Sequence, residues 1–379
     1  MEIKAQYIVK EKDFPELLKK LLEKGIVDKI IGAETKVSRK TGEEDRFSLS
    51  PKVWTKAEEI EKFPLSNLIA YGYSRTDSAS KYLHTKAEGA KKEKIGLITR
   101  PCDTRALIEL AKIRQVNLDN LFIIALEEKG LMLNVSRGLK KAKDIDTSKI
   151  IKEKVIDEGL LFLYEDGTTK EFNMDPSDNC TRCSRKTPII ADISVSDIGV
   201  PIDSDNVILK VYSEQGAEFL GESGITLKDL PDDVKKAHEE KLNELIKAAE
   251  EKRIEELEKW KQLSKEEKIE QLAKCTMCGM CIRACPVCYC VDCILQQKRK
   301  DKNIDNISYQ LTRIAHVADR CVQCGKCASI CPMNLPLSEI FQSLNEQFQE
   351  KFNYCAGTSV KDIPFRSAKA IKAMELEKT

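Results

Sequence analysis

The sequence predicts an α/β N-terminal domain, whose partly parallel sheet is covered by helices, followed by a charged helical linker and a mostly α-helical, cysteine-rich domain. Three observations support this prediction. Short apolar runs alternate with helical patterns in the first half of the chain, a segment dense in Lys and Glu follows, and two cysteine runs lie near the C-terminus. Alternating strands and helices are typical of parallel sheets that helices cover.

The α/β domain is predicted over residues 1–225. Apolar runs typical of buried strands occupy residues 94–99, 121–126, 160–164 and 206–212, and helical patterns occupy residues 16–24 and 57–62. Asp103 follows the first of these strands, and we expect it to cap a helix over residues 104–113, where apolar residues recur at helical spacing. The strand–helix–strand order predicts parallel pairing around this helix.

Residues 226–274 are predicted to form the charged helical linker. Pro231 suits the first turn of a long helix running to about Leu263. Neither Gly nor Pro occurs in this segment after Pro231. Ser264 and Glu267 match a capping box, which predicts a second helix that leads into Cys275. The charge pattern favours a solvated linker, which positions the following domain. A dedicated binding surface is the less favoured interpretation.

Two cysteine runs share the spacing C-x2-C-x2-C-x3-C-P, and together they predict a domain with two [4Fe–4S] clusters over residues 275–340. In two-cluster ferredoxins the first three thiolates of each run hold one cluster and the fourth joins the other cluster. The predicted ligands are Cys275, Cys278, Cys281 and Cys331 for the first cluster, and Cys321, Cys324, Cys327 and Cys285 for the second. The helical segment between the runs predicts a helical dicluster ferredoxin domain, followed by a C-terminal helix and tail over residues 341–379.

Structural zinc is the alternative interpretation of these runs, because zinc also takes four thiolates. Zinc sites usually use two separate C-x2-C pairs, whereas this chain repeats a triple run that ends in Cys-Pro. The spacing therefore favours iron–sulfur clusters, and a scaffold that carries zinc stays the contrasting hypothesis.

A further C-x2-C pair, Cys180 and Cys183, follows a turn-rich segment and predicts a third [4Fe–4S] cluster. Its other ligands would come from Cys102, Cys288, Cys290 and Cys293, among which the spacing does not choose, and some of these are alternatively ordinary buried thiols. The dipole of the helix that follows Cys102 is expected to favour its thiolate form. Cys355 lies outside any pattern and is predicted to be structural.

Composition excludes several classes of protein. A formal net charge of +1 gives no overall basic field for nucleic acid, and no apolar run reaches the length of a membrane span. The first residues lack the apolar core of a secretory signal, so a cytoplasmic location is expected, where fifteen cysteines indicate metal ligation rather than disulfides. His238 and His316 are expected to be surface or packing residues, which leaves little for histidine-based hydrolysis.

Several segments together resemble the β-subunit family of coenzyme F420-dependent hydrogenases and dehydrogenases, and within it the formate dehydrogenase β-subunits. The resemblance covers roughly residues 90–340 and is carried by the segments 100–106, 179–183, 190–194 with Gly199, 211–216 and 285–293. It implies a subunit that binds FAD, exchanges a hydride with F420 and passes single electrons through [4Fe–4S] clusters to a partner. A flavin suits this task because it takes two electrons as hydride and releases them singly.

The chain departs from the family near its N-terminus, where the first ninety residues contain no cysteine and no clustered glycines. The segment 71–80, with Arg75, offers hydroxyls and a cation to a phosphate, although such Ser-rich turns are more often plain loops. The leading hypothesis is an iron–sulfur electron-transfer subunit of an anaerobic oxidoreductase complex, with a formate dehydrogenase, hydrogenase or heterodisulfide-reductase-like partner. The alternative is an FAD-dependent oxidoreductase subunit that acts on F420 or another hydride carrier.

Overall fold

The computed structural model describes residues 1–37, 42–74 and 76–366. The strands are β1 (Ala5–Lys10), β2 (Lys29–Val37), β3 (Glu44–Trp54), β4 (Ile95–Thr99), β5 (Leu121–Leu126), β6 (Ile150–Ile156), β7 (Gly159–Tyr164), β8 (Thr169–Asn173), β9 (Ile193–Ser196), β10 (Asn206–Val211) and β11 (Lys228–Asp229). The helices before the long charged segment are α1 (Phe14–Glu23), α2 (Leu65–Tyr71), α3 (Ala79–Lys86), α4 (Pro101–Lys112), α5 (Val135–Leu139), α6 (Asp178–Thr181) and α7 (Glu214–Glu222). The later helices are α8 (Asp232–Gln262), α9 (Lys265–Ala273), α10 (Met280–Ala284), α11 (Ile294–Lys300), α12 (Asn306–Val317), α13 (Lys326–Ser329) and α14 (Leu337–Phe352).

Eight strands form one mixed sheet in the order β11-β1-β10-β9-β5-β4-β2-β3, and β6, β7 and β8 form a separate antiparallel sheet. The pairs β2–β4, β4–β5 and β5–β9 are parallel, and the other pairs of the large sheet are antiparallel. Every residue of β4 and β5 is buried, as expected for strands that helices cover on both faces. The predicted α/β domain with a partly parallel sheet is confirmed.

Two local predictions in this domain are wrong. Asp103 is the third residue of α4 rather than its cap: the helix begins at Pro101, and the Asp103 carboxylate accepts a hydrogen bond from the Arg100 backbone N–H. Proline fits the first helical position because its ring fixes φ in the helical range. The helix predicted over residues 57–62 is only a 3-10 turn, Ala57–Glu59, because Ile60 leaves helical geometry and buries its side chain in the core.

The long charged helix ends where the sequence predicts, with Leu263 as its C-cap, whereas Pro231 is its N-cap and not a residue of its first turn. The capping box of Ser264 and Glu267 is formed and begins α9. The helix is less solvated than expected, because α8 packs against α6 and α14. It also buries Leu257.

Beyond Asp229 the described part of the chain contains helices and loops only, as predicted for a helical dicluster domain. Apart from the exposed Cys278, the cysteines of both runs belong to the apolar core of this region or pack against it, together with Tyr309 and Phe341. Among the described residues, no helix combines the length and apolar character needed to cross a membrane.

Candidate metal centre

The two cysteine runs adopt the same backbone conformation. Met277 and Gln323, each just before the second cysteine of its run, have φ of 53° and 55°, and Gly279 and Gly325, just after it, have φ of 78° and 68°. Such left-handed residues fold the chain into loops whose N–H groups turn inward, as anion-binding nests do. In the first run the Met277 N–H donates to Cys275 Sγ over 3.2 Å.

The second cluster's predicted ligands line one cavity. Its walls contain Cys321, Cys324 and Cys327 of the second run together with Cys285 of the first run. Burial raises the pKa of Cys321 and Cys324, so thiolates there need a compensating positive charge, which the irons of a cluster supply. The donor set therefore fits a [4Fe–4S] cluster.

The first run is more open to solvent. Cys275 and Cys281 are buried, Cys278 is exposed, and Cys331 is half-buried within the same apolar core. Burial raises the pKa of Cys281 to about 11. Gln310 of α12 is buried and donates a hydrogen bond from Nε2 to Cys275 Sγ over 3.0 Å. This bond would persist with a thiolate, which is the better acceptor.

A buried arginine lies between the two runs. Arg313 of α12 is 1% exposed and donates from Nη2 to the Cys281 carbonyl oxygen over 3.2 Å. Its Nε and Nη1 are buried without a hydrogen-bond partner among the described residues, and its charge lies beside the thiols of Cys327 and Cys285. Sequence analysis missed this residue; the available signal was a lone cation on the apolar face of the helix between the runs.

The Cys180–Cys183 pair lies in and just after the short helix α6. Lys186 donates to the Cys180 carbonyl oxygen over 2.9 Å. Burial opposes ionisation of Cys183, but the nearby charges of Arg105 and Lys186 outweigh it and lower the pKa of this thiol. The Arg105 side chain is buried, and its Nε and Nη1 have no hydrogen-bond partner in the described part of the chain.

Arg105 lies near both Cys102 and Cys183, and its positive charge acts to lower the pKa of both thiols. Burial raises the pKa of Cys102 to about 11 and so opposes the thiolate form that the helix dipole was expected to favour. Cys288, Cys290 and Cys293 line a separate surface pocket, whose lining includes neither Cys180 nor Cys183. Cys355 accepts a hydrogen bond from Arg185 Nη2 over 2.5 Å.

Three carboxylates, those of Asp178, Glu256 and Glu339, come close enough to suggest a cation site. All three are instead ion-paired with Arg182, which is 1% exposed. Because these residues belong to α6, α8 and α14, the ion pairs join the Cys180–Cys183 segment to the cysteine-rich domain. Asn179 adds a direct contact, since its Nδ2 donates to the Gln323 carbonyl oxygen over 2.9 Å.

The two histidines have the roles that were predicted. His238 is buried. Its Nδ1 donates a hydrogen bond to the Ile198 carbonyl oxygen over 3.0 Å, and its Nε2 accepts one from Lys210 Nζ. His316 lies exposed on α12. Of the segment 71–80, Arg75 lies outside the described residues, and the Ser74 carbonyl oxygen accepts a hydrogen bond from Lys326 of the second run over 3.3 Å.

The fold and the thiol geometry define an iron–sulfur electron-transfer protein. The family model for the C terminus of the "Coenzyme F420 hydrogenase/dehydrogenase, beta subunit" matches residues 92–261, and the model "4Fe-4S dicluster domain" matches residues 271–335. The chain is 30% identical over 361 residues to the F420-dependent formate dehydrogenase 1 subunit beta of Methanococcus maripaludis, and the match covers 90% of this chain and 89% of the relative. The chain therefore belongs to the coenzyme F420 hydrogenase/dehydrogenase beta-subunit family, and the resemblance predicted from sequence is confirmed.

Two other proteins complete the comparison. The F420-dependent formate dehydrogenase subunit beta of Methanocaldococcus jannaschii is 25% identical over 366 residues, with 90% of each chain covered. A chain of the xenon-derivatised F420-reducing [NiFe] hydrogenase complex from Methanosarcina barkeri aligns with a TM-score of 0.48 at 14% identity, covering 68% of this chain and 92% of that chain.

Proposed function

We propose that this chain relays single electrons through two [4Fe–4S] clusters to another subunit of an anaerobic oxidoreductase complex. The first cluster is held by Cys275, Cys278, Cys281 and Cys331, and the second by Cys321, Cys324, Cys327 and Cys285. The cavity that joins Cys285 to three thiols of the other run carries this proposal, because such crossing over is the ligand pattern of paired runs. The partner is a formate dehydrogenase, hydrogenase or heterodisulfide-reductase-like subunit. A cytoplasmic location is proposed as well, because fifteen cysteines that serve metal ligation rather than disulfides suit a reducing compartment.

A third cluster extends the relay into the α/β domain. Cys180 and Cys183 are its proposed ligands, and Cys102 is the favoured third, because Arg105 lies close to both Cys102 and Cys183. Buried guanidinium nitrogens without a partner suit the sulfur atoms of a negatively charged cluster. The contact of Asn179 with the second run supports an electron path between this element and the proposed second cluster.

A second candidate function is hydride exchange with F420 through a bound FAD. It is favoured by the names of the two curated relatives, both of which are F420-dependent formate dehydrogenase β-subunits. In that case the flavin would divide each hydride into two single electrons for the clusters.

Iron, acid-labile sulfide and flavin should be measured per chain, in protein purified without oxygen. We expect about eight irons from two cubane clusters, or about twelve if the third cluster forms. The double variant Cys180→Ser/Cys183→Ser should lower about twelve irons to about eight, whereas Cys355→Ser should leave the count unchanged. Zinc without iron would contradict the relay, and one flavin per chain would support the second candidate.

A further inference from the structure

A surface pocket lies against the wall of the second cluster's cavity. It has a volume of about 560 Å³ and is formed by α3, α10, α12 and the loop from Cys288 to Cys293. Val287, Arg313 and Val317 line both this pocket and the cavity that contains the second cluster's ligands. A single layer of side chains therefore separates an occupant of the pocket from the second cluster.

The lining of the pocket is positively charged. It includes Lys81, Arg283 and Arg320, together with Arg313, and it includes no Asp or Glu. Arg283 is exposed and has no ion pair among the described residues, while Arg320 pairs with Asp319 at 3.7 Å and lies over the Tyr289 ring. Arg283 therefore gives the pocket a positive charge that no described acidic side chain pairs with.

The rim of the pocket carries exposed apolar side chains. Val291, at the tip of the cysteine loop, is 94% exposed, and Ile294, at the start of α11, is 48% exposed. The loop also carries Asp292, which is exposed and does not line the pocket. Apolar side chains bordered by charged ones are typical of surfaces that bind another protein.

We propose that this pocket, with the exposed loop beside it, docks an acidic one-electron carrier protein that exchanges electrons with the second cluster. The positive charge of the lining is complementary to an acidic protein, and charges of opposite sign on two proteins attract them and speed their encounter. In the transfer one electron leaves the reduced carrier and reduces the cluster, or the reverse, with no bond made or broken. The inference rests on the second cluster of the proposed function.

The docking is tested by stopped-flow mixing of the full chain, with its clusters, with a reduced acidic [2Fe–2S] ferredoxin at low ionic strength. Arg283→Glu reverses an exposed charge at the pocket, and we expect it to lower the second-order rate constant at least tenfold and to weaken its dependence on salt. Lys235→Glu, an exposed residue of α8, is the control with the same charge change, and it should stay within about twofold of the parent.

Two outcomes would overturn the docking. Equal losses in Arg283→Glu and Lys235→Glu would show an effect of net charge only, and no loss in Arg283→Glu would show that the carrier binds elsewhere. Tight binding of a small anion such as FMN that disappears in Arg283→Glu would replace the protein partner by a small ligand. EPR of the parent separates these failures from failure of the proposed function, because the second cluster must be present before any rate is interpreted.

Discussion

The two cysteine runs share spacing and backbone conformation but differ in surroundings. The first run exposes Cys278 and is held within the helical domain by α12, through Gln310. The second run is docked against the α/β domain, where Asn179 and Arg105 donate to its carbonyl oxygens at 2.9 and 3.2 Å. A shared motif therefore fixes how a cluster is held, while its neighbours decide its exposure, its hydrogen bonds and its potential.

The largest expected effect comes from replacing the two cysteines that cross between the runs. Cys285→Ser should destroy the second cluster and Cys331→Ser the first, because each removes one of four thiolates from the opposite run's cluster. EPR of the reduced variants distinguishes the outcomes, since a cluster that lost one iron would still contribute to an iron count. Selective loss of the first cluster in Cys285→Ser would refute the crossed assignment.

Arg313 ties the two runs together electrostatically. Arg313→Gln should lower the midpoint potentials of both clusters, because a buried positive charge favours the state with one more electron. Redox titration followed by EPR measures both potentials, and Arg313→Lys, which keeps the charge, should recover most of the shift. Lowering of one potential alone would show that Arg313 serves a single cluster.

The glycines after the second cysteine of each run test the docking of the second run. A Cβ on Gly325 would lie 2.2 Å from Cβ of Asn179, whereas a Cβ on Gly279 would meet the flexible end of Gln296 at 2.7 Å. Both alanine variants should lose about 1–2 kcal/mol of unfolding free energy to the left-handed backbone. Gly325→Ala should lose a further ~1–3 kcal/mol to overpacking.

Thermal unfolding of the variants with their clusters measures this difference, with a lower Tm expected for Gly325→Ala than for Gly279→Ala. Equal Tm values would show that Asn179 moves aside without cost, so that the docked run would be no more constrained than the open one.

The smallest expected effect is a shift in the potential of the first cluster alone, on loss of one hydrogen bond. Gln310→Leu removes the hydrogen bond to Cys275 and should lower the potential of the first cluster alone, because bonds to ligand sulfur favour the more negative, reduced state. The second cluster provides the internal control in the same titration. Equal shifts in both clusters would indicate a change in packing of α12 rather than loss of this bond.

Local patterns were readable where neighbouring residues decide the structure. The capping box of Ser264 and Glu267, the helix that starts after Pro231 and the strand Leu121–Leu126 all form as predicted. Asp103 was misplaced because the helix starts at Pro101, three residues earlier than predicted. The resemblance in residues 90–340 identified the family because several short motifs occur together in the family's order. Each motif alone is only moderately specific.

The order of residues along the chain sets the spacing of the thiols, and so the class of cofactor, because cluster loops are built from contiguous residues. Which residues surround those loops depends instead on how distant segments pack in the fold. The burial of Arg313 between the runs, the burial that raises the pKa of Cys102 and the separation of the Cys288–Cys293 loop from Cys180 depend on contacts between distant segments. Burial and charge are properties of packed neighbours, and spacing along the chain does not encode them.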